Sequence, residues 1–137
     1  MRRLILIGVL VLGVAGFIAW RWAGPVRVRF VATLADLPFE AEVIPPVVWA
    51  QPGEMVSVTY RIRNNDLTPL EAYGKLILEP SGAKDQVEVF LTQCSGLNTF
   101  QNSVTSDYLV MVRVAPAGWF GAGQITLRHE FTRVVTR

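Results

Sequence analysis

The chain has 137 residues, 51% hydrophobic and 18% charged, which leaves room for one domain plus an anchor and excludes two independent cores. The formal net charge is +2; from Ala23 onward ten Lys and Arg face eleven Asp and Glu, without the basic run or aromatic ladder that nucleic-acid binding needs. A single cysteine excludes an intrachain disulfide, so the domain must be held by its core alone.

In chain order, residues 1–3 form a short tail with Arg2 and Arg3, and the uncharged run LILIGVLVLGVAGFIAW follows from Leu4 to Trp20. Its 17 residues span roughly 25 Å as a helix, and Trp20, Arg21 and Trp22 suit the membrane interface, so 4–22 is expected to be one transmembrane helix. A cleaved signal peptide is the competing reading. The run is longer than such segments usually are, and the small-x-small cleavage pattern fails at Phe17-Ile18-Ala19 and at Trp22-Ala23-Gly24. Gly8, Gly13 and Gly16 would allow close packing against other helices in the bilayer. The short tail favours a cytoplasmic N-terminus, and therefore a single-pass protein of the inner membrane with a periplasmic C-terminal domain.

Ala23-Gly24-Pro25 is a linker, after which the apolar period changes from helical to two over the expected domain 26–137. Val26, Val28, Phe30 and Ala32 mark the inner face of a first strand, and Phe39 to Ile44 a second, stopped by Pro45-Pro46. An apolar stretch ends in Trp49, and Pro52-Gly53 makes a turn. Val56, Val58, Tyr60 and Ile62 then alternate with polar residues. Further strands are expected at Leu70–Glu79, with Ala72, Gly74, Leu76 and Leu78 inward, and at Gln86–Gln93, with Val87, Val89 and Leu91 inward. A loop from Cys94 to about residue 106 leads to the last two, Tyr108–Val114 and Gln124–Val134. About seven short strands with turns between them predict an all-β, immunoglobulin-like antiparallel sandwich behind a single N-terminal transmembrane helix.

Candidate chemistry is sparse. His129, the one histidine, shares a strand face with Leu127 and Phe131 and reads as a packed side chain; a thiol dyad with Cys94 would need the fold to join them. Glu40 and Glu42 lie on one strand face and read as solvated carboxylates. Gly118, Gly121 and Gly123 have no following helix and make no dinucleotide loop. Cys94 alone is too few ligands for copper(I), and Met55 and Met111 are expected in the core. Trp119 and Phe120, in a glycine-rich connection, either dock a partner, enter the membrane interface, or fold back over one end of the sandwich. No catalytic residue, small-molecule substrate or enzyme activity is expected.

Five segments together resemble the CtaG family of cytochrome c oxidase assembly proteins. They are VRVRFVATLADLPFEAEV, with the family's V-x-F-x-A-x-x-x-x-L-P-F/W character; QPGEMVSVTYRIRNND, with its Gly-Glu turn and Y-R-x-x-N strand; LEAYGKLILEP; Gln93-Cys94; and ITLRHEF. They cover most of residues 26–133. The resemblance implies one membrane helix, an immunoglobulin-like extracytoplasmic domain and copper delivery to the oxidase. The sequence departs from the family at the chemistry. Where the family reads Q-C-F-C-F, this chain reads Gln93-Cys94-Ser95-Gly96-Leu97, and the family's cysteine between helix and first strand is missing from Trp22 to Phe30. The resemblance thus implies an accessory or structural subunit of a respiratory or photosynthetic membrane complex that binds neighbouring subunits and the bilayer without a cofactor. The alternative is copper(I) delivery through Cys94 in a dimer or mixed complex.

Overall fold

A computed structural model describes residues 25–115 and 123–135. Nine strands pair into two sheets, and apart from a 3-10 turn at Ser81–Asp85 the described residues hold no helix. None of those residues lies in a helix long and apolar enough to cross a membrane, and the span expected at 4–22 lies outside them.

The pattern of period two is clearest in β4 (Met55–Asn64). Val56, Val58, Tyr60, Ile62 and Asn64 are buried, while Ser57, Arg61 and Arg63 are exposed. Its neighbours are β2 (Phe39–Ile44) and β8 (Thr105–Val114), and β6 (Val87–Thr92) completes a four-stranded sheet in the order β2-β4-β8-β6. The other sheet runs β3-β1-β9-β5-β7, from β1 (Val26–Thr33), β3 (Val47–Ala50), β5 (Leu70–Glu79), β7 (Gly96–Phe100) and β9 (Gln124–Arg133). Side chains of the two inner faces meet in one core, with Val28, Phe30, Ile125, Leu127 and Phe131 from one sheet against Val58, Tyr60, Ile62, Val110 and Val112 from the other. The architecture is an all-β sandwich.

The structure departs from the expected strands in four places. β1 and β9 pair in parallel, because the first and last strands enter the sheet from the same end and the rest of the chain serves as their crossover. The apolar stretch after Pro45-Pro46 is a strand, β3, which pairs with β1 in the opposite sheet from β2; the diproline marks the switch, and the Pro46 carbonyl accepts from Phe30 N at 2.8 Å. The cysteine segment is not an open loop, since Gly96–Phe100 adds β7 to the edge of β5. In β6 only Val87 is buried: Val89 keeps its register with the buried Val112 but is left uncovered on this edge strand, and a bulge between Val89 and Leu91 shifts the register so that Leu91 pairs with the outward Met111.

The end of β4 is fastened by Asn64, a buried amide whose Nδ2 donates to the carbonyls of Thr68 and Phe100 at 3.0 and 2.9 Å, while Oδ1 accepts from Asp66 N at 2.9 Å. One side chain thereby ties the β4–β5 turn to the end of β7. Asn64→Ala strands those groups without partners, and equilibrium denaturation is expected to show a loss of about 3 kcal/mol.

Candidate functional site

Gln93, Cys94 and Ser95 carry the chain from β6 in one sheet to β7 in the other, and so close one side of the sandwich. The crossing is fixed at Gln93, whose N donates to the Leu109 carbonyl at 3.1 Å and whose Oε1 accepts from Leu109 N at 2.7 Å. Ser95 N donates to the Thr92 carbonyl at 3.3 Å. Held this way, Cys94 points inward and is 0% exposed, a member of the core cluster. Its carbonyl lies against Gly74 of β5, where only a hydrogen leaves room.

Next to it, Ser95 Oγ and His129 Nε2 lie 3.1 Å apart in one hydrogen bond. His129 is fully buried on the inner face of β9, its ring edge-on to Tyr60 at 4.9 Å and stacked with Phe131 at 6.1 Å between centroids. Burial pulls the imidazole pKa down from 6.5 to about 4, so the ring is neutral at physiological pH. Burial also pushes the Cys94 thiol up to about 11 and raises the Tyr60 hydroxyl well above its ordinary value, with the nearby Cys94 adding a smaller rise to Tyr60. His129 Nδ1 and the Tyr60 hydroxyl have no hydrogen-bond partner.

The group that converges here is therefore Cys94, Ser95, Tyr60 and His129, all in their neutral forms. A hydroxyl on an imidazole resembles a nucleophile with its base, but no carboxylate holds Nδ1, and burial disfavours the imidazolium that proton abstraction would form. The bond acts as an internal clasp between the crossing and β9. A protonated, fully covered thiol is a poor nucleophile and a poor soft-metal ligand. Iodoacetamide at neutral pH is expected to leave Cys94 unmodified in the native protein and to modify it fully in denaturant, as mass spectrometry would read.

The second cysteine position of the CtaG pattern falls on Gly96, which adopts φ +82° and faces open space. A side chain there would be strained and would have nothing to pack on. Glu40 and Glu42 are exposed on β2 and pair in register with Arg63 and Arg61; Arg61 in turn forms a bidentate pair with Asp107 of β8 at 2.9 and 3.1 Å. These residues and Thr105 line a surface hollow of about 320 Å³, and another of about 570 Å³ lies between Pro69–Glu71 and residues 133–135. Met55 and Met111 correct their expected place: both have the parity of Ser57 and sit on the outer face, Met55 exposed. Among the described residues no three His, Cys, Asp or Glu side chains cluster to hold a metal ion. Gly8, Gly13, Gly16, Trp20, Arg21, Trp22, Trp119 and Phe120 lie outside the described residues.

Fold and site define a β-sandwich whose only cysteine plugs the core at a crossing between sheets. No protein-family model matches the chain, and no curated protein sequence matches it significantly.

Proposed function

We propose that the chain is a membrane-anchored, CtaG-like accessory subunit of an energy-converting membrane complex, respiratory or photosynthetic, and that it acts by binding neighbouring subunits rather than by chemistry. Its helix at 4–22 packs in the inner membrane, with Gly8, Gly13 and Gly16 against other helices, while an immunoglobulin-like periplasmic domain covers an extracytoplasmic surface. The observation that carries this reading is the state of Cys94: its thiol is fully buried and pushed up to about 11, and the position two residues on is a glycine in a left-handed conformation. A scaffold with a covered thiol and no second cysteine lacks the pair of thiolates that grips a soft ion.

Isolation in mild detergent tests the reading. A resident subunit travels in stoichiometric amount with a finished complex; recovery only with assembly intermediates, or alone, overturns it. Titration with copper(I) against a strong chelator tests the competing delivery role. Tight binding at one copper per two chains, lost in Cys94→Ser, would replace the accessory role with copper delivery.

A further inference from the structure

β1 begins at Val26, four residues beyond Trp22, and its first turn of side chains forms a corner with the edge strand β3. Register places Arg27 beside Trp49 and Arg29 beside Val47, with Gln124 and Thr126 of β9 on the other flank. Val28 between the arginines is fully buried, so Arg27, Arg29, Val47 and Trp49 belong to the outer face of the sheet. Trp49 is 62% exposed, a large indole left uncovered on an edge strand. Arg29 is exposed, and Arg27 donates from Nη1 to Gln124 Oε1 at 2.9 Å.

Among the described residues neither arginine of this corner has an acidic partner, and the carboxylate that register brings nearest, Glu79 across Thr126 from Arg29, is held by Arg128 at 2.9 Å. The ion pairs of the described residues join Arg61 to Asp107, Arg113 to Glu88 and Arg128 to Glu79, and neither Arg27 nor Arg29 takes part in one. β1 and β3 contain no acidic residue, and neither do segments 1–24 and 116–122. An indole beside two unpaired guanidinium groups matches the zone where lipid headgroups begin: the indole fits its mixed polarity, and guanidinium binds phosphate in a two-pronged fashion.

Chain length puts the corner there, resting on the reading of 4–22 as a membrane span. Five residues from Trp22 to Arg27 reach at most about 18 Å, and Trp49 stands one strand spacing, about 5 Å, to the side. Ten-residue strands run about 33 Å from this pole to the other, where Leu67 sits at the β4–β5 turn. We propose that Trp49, Arg27 and Arg29 dock the sandwich onto an anionic bilayer surface, with the indole among the headgroups and the guanidinium groups on lipid phosphates. The domain then rests against the membrane in one orientation instead of swinging on its linker.

The test uses the full chain with Trp20, Trp22 and Trp119 changed to Phe, so that Trp49 is the sole tryptophan, in phosphatidylcholine vesicles with and without phosphatidylglycerol. Lipid carrying a headgroup spin label is expected to quench Trp49 several-fold more than a Leu67→Trp reporter built in the same background with Trp49→Phe. The excess is expected to need phosphatidylglycerol and to fall in Arg29→Gln, whose exposed side chain makes no ion pair among the described residues. Equal quenching of the two reporters in a chain that stays with the vesicles after an alkaline wash overturns the docking alone. An excess that is the same without phosphatidylglycerol overturns the requirement for an anionic surface. Loss of the chain in the wash overturns the membrane span and the docking with it.

Discussion

Gly74→Ala is expected to lower stability by about 3 kcal/mol and the thermal midpoint by roughly 10 °C, measured by circular dichroism of the full chain in mild detergent. A methyl group at this position falls inside contact distance of the Cys94 carbonyl oxygen and 3.2 Å from both the Cys94 carbonyl carbon and Phe131 Cε1. Relief requires moving backbone, because the obstacle is the crossing itself, pinned through Gln93 on one side and Ser95 on the other. Gly82→Ala is the matched control: its added methyl meets nothing, so no comparable loss is expected. Equal stability of the two variants would show that the crossing does not press on β5.

The second large effect is on acid stability. His129 titrates near 6.5 in the unfolded chain and, because burial disfavours the imidazolium, at about 4 in the folded one. Between those values the unfolded state binds a proton that the native state refuses, so stability is complete above pH 6.5 and falls as pH drops toward 4. The loss attributable to this one group is about 3 kcal/mol, with no further change from it below that range. Urea denaturation across this range should give a clear slope in the parent chain and a flatter one in His129→Leu. An unchanged slope in the variant would assign the acid sensitivity to other groups.

Most of the sandwich is legible in the sequence where one face of a strand is buried and the other wet. In β4 and β9 the alternation of apolar residues identifies both the strand and its inner face, and His129 takes its place with Leu127 and Phe131 as their spacing requires. The pattern is silent where pairing, not burial, makes the strand. Gly96-Leu97-Asn98-Thr99-Phe100 has the composition of a loop and becomes β7 through hydrogen bonds to β5, more than twenty residues earlier. β3 is too short for a period, and the bulge in β6 turns Leu91 out of an apparent alternation. The Ser95–His129 clasp joins residues 34 apart. Its one sequence signal is the histidine itself, since an imidazole on a core face needs a polar partner and the partner's identity depends on the crossing.

β9 lies between β1 and β5 at the middle of the five-stranded sheet, and without it the β1–β3 and β5–β7 pairs are separate ribbons. A ribosome must therefore deliver all nine described strands before this layer can form, and until then the nascent domain offers open edges to proteases and to other chains. Closure of this layer waits on β9, so shortening that strand should act on the yield of folded protein before it acts on any surface the finished domain presents.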